Sequence, residues 1–274
     1  MLNENYHIAV PTAFYNDETL NVEGTISHIK YLYRQGVRSV FVCGSTGEQH
    51  SLSLSEKIEL LDAVNKNREL TSNMEIIFGV ASIRQKEAEL LAKHVSETNI
   101  AAIMIGYPPY IRPSQEEAFH YTKSLVTISG KYAILYNNPG RTGFDLQVDT
   151  INKLARMKEV IGIKEAGDKN KIEKLRIDSD KHFYIYAGGE QDLEANVKHG
   201  FNRLSSIAGN VAPIEIENWF EALLKGQDLE GQEKQKVENV LKRVYSGTPI
   251  INLREELNSQ GAMLGTSRSP IGNQ

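Results

Sequence analysis

The hydrophobic positions of the chain follow two patterns that alternate along its length. Short, nearly continuous apolar runs rich in Val, Ile and Tyr are separated by longer stretches in which apolar residues recur at helical spacing. Continuous apolar runs are typical of parallel strands in a sheet that is covered on its outer face. We predict eight strands: Ile8–Phe14, Ser39–Gly44, Glu75–Val80, Ala101–Tyr107, Ala133–Asn137, Val160–Glu165, His182–Ala187 and Arg203–Ala208.

Amphipathic helices are predicted between the strands, with Ser53, Ser114 and Asp168 as candidate N-caps. Eight successive βα units indicate an α/β fold that closes into a (β/α)8 TIM barrel, and an open doubly wound sheet is the alternative. The clearest helical stretches are Leu54–Arg68, Lys86–Thr98, Gln115–Ile128 and Val148–Met157.

The chain continues beyond the eighth strand with more helical sequence than one closing helix needs. We therefore expect a barrel over residues 1–213 and a C-terminal helical appendix and tail over residues 214–274. The end of the chain, Gly265–Gln274, lacks periodicity and is expected to be an irregular or frayed arm. The three additional helices are predicted at Ile214–Lys225, Leu229–Tyr245 and Ile251–Ser259.

Length and charge narrow the classes of protein. The 274 residues match the ~250 residues of a single barrel. A formal net charge of −4 disfavours a nucleic-acid partner. The single cysteine excludes an internal disulfide, and without a leader pattern or a long apolar run we expect a cytoplasmic protein with no membrane partner. One basic cluster is expected on a solvated helix and consists of Lys169, Lys171, Lys174 and Arg176.

Neither metal nor nucleotide chemistry is indicated. The seven histidines are dispersed, and none is paired at the i, i+4 spacing that places two ligands on one helix face. The chain also lacks the glycine-rich patterns that hold nucleotide phosphates at a helix N-terminus. We expect no metal site and no cofactor.

Lys164 is the most informative residue, because it stands in the apolar, β-branched run Val160–Ala166. Burial disfavours the charged ammonium and lowers the pKa, which leaves a free amine able to attack a carbonyl. Enzymes that form Schiff bases use such an amine. The alternative is a lysine at a strand end whose side chain extends to water.

Other candidates stand where predicted strands meet their following loops, the end of a barrel that carries chemistry. Gly44-Ser45-Thr46-Gly47-Glu48 can direct N–H and O–H groups at a carboxylate, or can be a simple tight turn. The loop with Tyr107 and Tyr110 can serve the site or only pack its aromatic rings. Tyr136 stands near the end of the fifth strand, which leads to Arg141.

The alternation of side chains along a strand sharpens this hypothesis. Lys164 shares a strand face with Gly162, whose missing side chain would leave space beneath an inward-pointing lysine. The neighbouring fifth strand would then place the phenol of Tyr136 beside the amine. Cys43 shares a face with Ser45, so we interpret it as barrel lining and not as a nucleophile.

Five segments in a consistent order resemble the pyruvate-dependent class I aldolases and lyases, the family that includes dihydrodipicolinate synthase and N-acetylneuraminate lyase. The resemblance covers residues from about 8 to 270 and is closest to dihydrodipicolinate synthase. The segments are Gly44-Ser45-Thr46-Gly47-Glu48, Tyr110 with Arg112-Pro113-Ser114-Gln115, Tyr136-Asn137 with Pro139 and Arg141-Thr142-Gly143, Gly162-Ile163-Lys164-Glu165-Ala166, and Asn210-Val211-Ala212-Pro213.

The resemblance implies a role for each candidate. Lys164 would form the Schiff base with pyruvate, and Tyr136, Ser45 and Tyr110 would relay protons. Tyr110 would be lent across a subunit interface, which implies a homo-oligomer, a dimer or a tetramer. Thr46 would hold the pyruvate carboxylate and the backbone at Ser205 would touch the keto acid.

The acceptor aldehyde is inferred from Arg141, whose planar guanidinium can bind the carboxylate of aspartate semialdehyde. The resemblance then implies a 4-hydroxy-tetrahydrodipicolinate synthase of lysine and diaminopimelate biosynthesis. The first alternative is a related lyase that cleaves N-acetylneuraminate or a 2-keto-3-deoxy sugar acid to pyruvate. The second is a barrel that binds keto acids without turnover.

Departures from the family pattern motivate the second alternative. The loop after Lys164 is one residue short, because Ala166 is followed directly by Gly167-Asp168. A glycine is usual where Arg203 stands and a branched aliphatic residue where Ser205 stands. Glu190, where an aspartate is more common, is a further departure that does not bear on this alternative.

We predict that lysine inhibits the protein weakly or not at all. Lysine-regulated relatives place His, Asn and Tyr at positions that here hold Lys57, Ile83 and Pro109, and only Glu87 of that set remains. Lys57 would repel the ammonium of the ligand, and the Ile83 side chain cannot form a hydrogen bond with it. Condensation rates measured with increasing lysine test this, and inhibition at submillimolar concentration would contradict it.

Overall fold

Eight parallel strands close into a barrel in the order β1 to β8. The computed structural model describes residues 2–272. The predicted TIM barrel is confirmed, and the open sheet is excluded because the strands close on themselves. The strands are β1 (Tyr6–Ala9), β2 (Ser39–Val42), β3 (Glu75–Val80), β4 (Ala102–Gly106), β5 (Tyr132–Asn137), β6 (Val160–Glu165), β7 (Tyr184–Ala187) and β8 (Arg203–Ser206).

The helices follow the predicted periodicity closely. Ser53 and Ser114 each begin a helix with a capping box: Ser53 Oγ accepts from the Glu56 N–H at 3.3 Å, and Glu56 Oε2 accepts from the Ser53 N–H at 2.8 Å. The helices are α1 (Val22–Arg34), α2 (Leu54–Lys66), α3 (Arg68–Asn73), α4 (Gln85–Ser96), α5 (Gln115–Ser129), α6 (Pro139–Thr142), α7 (Val148–Ala155), α8 (Leu193–Lys198), α9 (Pro213–Leu224), α10 (Gly231–Tyr245) and α11 (Pro249–Ser259). None of them, within the part of the chain that is described, is long and apolar enough to cross a bilayer.

Three strands end two or more residues earlier than the apolar pattern predicts. β2 ends at Val42 instead of Gly44. β1 ends at Ala9, and Phe14 instead forms an isolated antiparallel bridge with Leu20. β8 ends at Ser206, because the chain turns into a short 3-10 helix at Ala208–Asn210.

The connection after β6 differs from the expected solvated helix. It is a 3-10 helix, Lys169–Lys174, capped by Asp168, whose Oδ1 accepts from the Asn170 N–H at 3.0 Å. Lys171 is buried, and its ammonium donates to Asp145 Oδ1 and, at 3.2 Å, to the Leu146 carbonyl. The expectation that this basic cluster is solvated is therefore wrong for Lys171, which forms an internal ion pair.

The chain divides into two compact units. One contains the described residues up to Asn5 together with Ile77–Leu204, and the other contains Tyr6–Ile76 with the described residues from Ser205 onward. In the first unit, β4 pairs with β5 and β5 pairs with β6, with a register shift between Ala133 and Ile134, and their apolar side chains are buried. In the second unit, Leu253 and Leu257 of α11 pack with Leu264 and Ala13.

A buried ion pair organises the second unit. Arg254 on α11 donates from Nε at 3.0 Å and from Nη2 at 2.6 Å to Glu48 Oε1, and from Nη1 at 2.8 Å to the Leu264 carbonyl. Its Nη2 also donates to the Thr12 carbonyl. Neither charged group is exposed to solvent by more than 3% of its side chain. The pair therefore holds the turn after β2 against α11.

The arm after α11 is irregular, as expected, but it is not frayed as far as residue 272. The Arg268 N–H donates to Glu48 Oε2 at 3.1 Å, and its guanidinium donates to the Ser51 carbonyl at 2.9 Å. Gly265 has a φ of 63° and lies so close to the Phe14 carbonyl that a Cβ would collide with it. The last two residues of this predicted arm lie outside the described residues.

We predict that Arg254→Met lowers the free energy of unfolding by about 3–5 kcal/mol, because it leaves the Glu48 carboxylate buried and unpaired. Urea denaturation measures the effect. Arg243→Met is the matched control, since its bridge to Glu256 spans 3.3 Å with half of the arginine side chain exposed, and the expected loss is below about 1 kcal/mol. Equal losses in the two variants would contradict the prediction.

Candidate active site

Lys164 and Tyr136 lie side by side at the carboxyl ends of two neighbouring strands. The pairing of β5 with β6 places Tyr136 directly opposite Lys164, and the lysine Nζ lies 4.6 Å from the centroid of the tyrosine ring. Registered residues of parallel strands face the same side of the sheet, so both side chains share one face. The phenol predicted beside the amine is therefore present in the structure.

The Lys164 side chain is buried, with only 4% of the residue exposed. This excludes the alternative in which the lysine extends to water. Burial is the main cause that lowers the pKa of Lys164, and Arg141 lowers it further, while Tyr136 and Glu190 act in the opposite direction. The amine is thereby available in its neutral, nucleophilic form at a lower pH than an ordinary lysine.

Tyr136 and Arg141 are linked through the turn that follows β5. Asn138 Nδ2 donates to the Tyr136 hydroxyl at 2.9 Å, and the backbone N–H of Arg141 donates to the Asn138 carbonyl at 3.1 Å. Arg141 is exposed on the one-turn helix α6, and its charge reaches the Lys164 amine. An exposed cation whose charge acts on the buried amine can hold a second anionic group at the site.

Tyr110 stands apart from this group. Its side chain is 93% exposed, and its φ of 71° is unusual for a residue other than glycine. A large aromatic side chain held out in solvent by a strained turn is typical of a residue that meets a partner surface.

The candidates in the second unit lie on the turn after β2 and on β8. Thr46 is buried and Ser45 is half-buried, and the Ser45 carbonyl accepts from the Glu48 N–H at 3.1 Å. Thr12 Oγ1 donates to the Gly47 carbonyl at 2.7 Å, and a Cβ on Gly47 would come within 3.0 Å of that hydroxyl. The turn therefore needs glycine there, while the buried Glu48 fixes its end.

The sequence predicts different roles for two further residues of the second unit, one in contact with the substrate and one in the barrel lining. Ser205, a candidate for contact with the keto acid, is fully buried on β8. Cys43, interpreted as lining, is buried as a free thiol, and burial raises its pKa to about 11. A thiol with that pKa is not a nucleophile at neutral pH.

Glycine is required at position 162 by the packing of β6 against β7, a different reason from the space that it was expected to leave beneath Lys164. A Cβ at this position would collide with the Tyr184 carbonyl and come within 3.0 Å of the Tyr184 side chain on β7. Glycine here allows β6 and β7 to approach each other.

Three residues near Lys164 were not selected from the sequence. Tyr186 pairs with Lys164 across β6 and β7 and is 1% exposed, so the lysine stands between two tyrosines. Glu190 is buried and acts on the lysine pKa, and Glu165 follows the lysine in the chain. Tyr186 could have been found by counting positions along the seventh strand, whereas the roles of the two carboxylates depend on contacts that no local pattern contains.

The residues described contain no cluster of three or more His, Cys, Asp or Glu side chains placed to hold a metal ion. A desolvated amine attacks a carbonyl carbon, and the neighbouring phenol can exchange protons with the adduct. An imine-forming enzyme is the class that this fold and this group of residues define.

The chain belongs to the dihydrodipicolinate synthetase family, whose model matches residues 4–274. It is accordingly an enzyme of the pyruvate-dependent lyase class. It is 28% identical over 270 residues to 4-hydroxy-tetrahydrodipicolinate synthase of Bacillus subtilis, an alignment that covers 97% of this chain and 92% of that one.

Solved structures of similar chains share the fold. Dihydrodipicolinate synthase DapA-2 of Bacillus anthracis is 26% identical with a TM-score of 0.85, over 97% of this chain and 91% of that one. The dihydrodipicolinate synthase of Acinetobacter baumannii, solved in a complex with pyruvate, is 24% identical with a TM-score of 0.83, over 97% and 92% of the two chains.

Proposed function

We propose that this protein condenses pyruvate with aspartate semialdehyde through an imine on Lys164, the reaction of a 4-hydroxy-tetrahydrodipicolinate synthase. The observation that carries the proposal is the buried Lys164 amine, in register with Tyr136 and within the field of Arg141. Membership of the family and the name of the Bacillus subtilis relative support the same reaction.

The first half of the reaction uses the amine and the phenol. The neutral Lys164 amine attacks the keto carbon of pyruvate, and the resulting carbinolamine takes up a proton on its hydroxyl and loses water to give an iminium ion. The iminium withdraws electrons from the adjacent methyl group, which gives up a proton and leaves an enamine. Tyr136, whose ring lies beside Nζ, is the group that we propose to accept and return these protons.

The second half requires an acceptor. The enamine carbon attacks the aldehyde carbon of the semialdehyde, a new carbon–carbon bond forms, and the aldehyde oxygen takes up a proton. Arg141 would bind the carboxylate of the semialdehyde through two parallel N–H bonds. Water, or the amine of the adduct, then attacks the iminium carbon, and the C–N bond to Lys164 breaks, so that the free amine leaves and the product is released.

The remaining candidates keep the roles that the family implies. Thr46 and the glycine-flanked turn would hold the pyruvate carboxylate, the backbone at Ser205 would touch the keto acid, and Ser45 would extend the proton relay. The exposure of Tyr110 supports its contribution to a neighbouring subunit. We therefore propose that the working protein is a homo-oligomer, a dimer or a tetramer.

We predict that pyruvate with borohydride labels Lys164 with a single reduced pyruvyl group. Peptide mass spectrometry should locate it on the peptide containing Ile163-Lys164-Glu165. Lys164→Ala should fold and take up no label, whereas Lys153→Ala, which changes an exposed lysine on α7, should be labelled like the unmodified protein. Label on another lysine, or none on a folded sample, would refute the imine.

We predict that Arg141→Ala leaves pyruvate labelling nearly unchanged and lowers kcat/KM for aspartate semialdehyde about 10- to 150-fold. This corresponds to roughly 1.5–3 kcal/mol for a charge-assisted bidentate contact. Arg141→Lys should recover only part of the loss, because an ammonium lacks the planar fork. Arg156→Ala, at an exposed arginine after α7, is the control.

The same preparation separates the alternatives. A pyruvate-release assay with N-acetylneuraminate and 2-keto-3-deoxy sugar acids is run beside the condensation assay. Faster cleavage of these sugar acids would refute the synthase assignment and leave the role of Lys164 intact. Labelling without turnover on any of these substrates would instead support a keto-acid-binding barrel.

A further inference from the structure

A second pair of side chains joins β5 and β6 on the face opposite to Lys164 and Tyr136. Asn137 and Glu165 are the next residues along each strand, and the pairing places them directly opposite each other. Asn137 is fully buried and Glu165 is 3% exposed. Asn137 Nδ2 lies 2.9 Å from both carboxylate oxygens of Glu165, to which it donates.

This pair also fixes the two turns that leave the strands. Asn137 Oδ1 accepts from the Leu146 N–H at 2.9 Å, and the Asn137 carbonyl accepts from the Ala166 N–H at 2.9 Å. Glu165 Oε1 accepts from the Gly167 N–H at 2.7 Å. The loop after Lys164, which is one residue shorter than the family pattern, is thus held by the carboxylate of the residue that follows the lysine.

Glycine at position 167 makes this close arrangement possible. A Cβ there would come within 2.7 Å of Pro139 Cγ and 2.8 Å of Glu165 Oε1. The short loop therefore packs directly on the turn that carries Arg141. A displacement of Glu165 would be transmitted to Lys164 on one side and to this turn on the other.

The charged groups that face Glu165 are Asp145 and Lys171. Asp145 Oδ1 accepts from Asn137 Nδ2 at 2.9 Å and from the Lys171 ammonium. Burial raises the pKa of Glu165 to about 7, against the lowering effects of Asn137, Lys171 and Gly167, and Asp145 raises it further. The charges that act on the Lys164 amine come from Tyr136, Glu190 and Arg141.

We propose that Asn137 and Glu165 are a positioning pair, which holds Lys164 and Tyr136 in the geometry of imine formation only while Glu165 is ionised. The inference rests on the proposed function, since it concerns the imine on Lys164. In the ionised form Oε1 accepts from the Asn137 and Gly167 N–H groups, and Oε2 also accepts from Asn137. A proton on Glu165 would turn one acceptor into a donor and break part of this set.

The test is the rate at which Lys164 is labelled by pyruvate and cyanoborohydride, measured by mass spectrometry from about pH 6 to about pH 9. In the unmodified protein the rate should rise through about pH 7 as Glu165 ionises. Glu165→Gln should lack that rise and label about 10- to 100-fold more slowly at the upper end of the range, because its amide cannot accept at both positions. Glu159→Gln, immediately before β6 at its other end, is the matched control and should behave as the unmodified protein.

Glu165→Asp provides a second variant that keeps the charge and shortens its reach. It should retain an ionisation and label more slowly, so it tests the positioning pair if the glutamine variant fails to fold.

Thermal melts give a readout that needs no pyruvate. Because folding raises the pKa of Glu165, the unmodified protein should lose stability relative to Glu165→Gln as pH rises from about 4.5 to about 7.

The outcomes separate the two proposals. A pH profile and rate unchanged in both Glu165 variants, with Lys164 labelled, would overturn the positioning pair and leave the imine standing. No labelling of the unmodified protein at any pH would overturn the imine itself and the positioning pair with it. Loss of the rise in Glu165→Gln alone, with the Glu159 control unaffected, would support the proposal.

Discussion

The removal of the Lys164 ammonium from water is the constraint on which the candidate site depends. A charge in a low-dielectric interior is costly, and the equilibrium of the side chain responds by favouring the neutral amine. The ring face of Tyr136 and the carboxylate of Glu190 offset part of that cost, so the ammonium remains accessible as well. The neutral amine can attack a carbonyl at a lower pH than an ordinary lysine, and the same nitrogen can then carry the positive charge of an iminium ion. Its environment in β5, β6 and β7 therefore determines its reactivity.

Arg254 in the second unit shows that burial alone does not produce reactivity. Its side chain is as deeply buried as that of Lys164, but a guanidinium presents five N–H donors in a fixed plane, and these reach Glu48 and the carbonyls of Leu264 and Thr12. These hydrogen bonds, together with the charge of Glu48, oppose the effect of burial on the charged form, so the residue supports the fold. Lysine supplies three donors on a flexible chain and shifts its pKa readily. The type of basic residue thus decides the role of a buried positive charge: Arg254 supports the fold, whereas Lys164 is suited to chemistry.

Most of the barrel could be predicted from the sequence, because apolar runs and caps are local properties. Ser53 and Ser114 form the capping boxes that their sequences indicate, and the position of Lys164 beside Tyr136 followed from counting along two strands. The environment of Lys171 could not be predicted in this way. Its burial depends on an ion pair with Asp145, a residue 26 positions earlier, and no periodicity contains that partner. Clusters of lysine are usually solvated, as Lys174 and Arg176 are here, and Lys171 is the exception because its ammonium is paired with Asp145.

The same reasoning explains why the sequence does not predict the pair of residues on the face of β5 and β6 opposite to the Lys164 amine. A sequence pattern identifies a buried position as apolar, and a polar residue at a strand end is then assigned to the loop that follows. Asn137 and Glu165 are polar, buried and separated by 28 residues, so only the pairing of the strands reveals that they meet. Buried polar groups persist where their hydrogen bonds are satisfied, and a network that is fully satisfied adopts one arrangement. Directional hydrogen bonds fix the orientation of the backbone, whereas apolar contacts mainly fix the volume that side chains fill. A buried hydrogen-bonded pair next to a reactive residue therefore restricts the geometry of that residue more narrowly than apolar packing would.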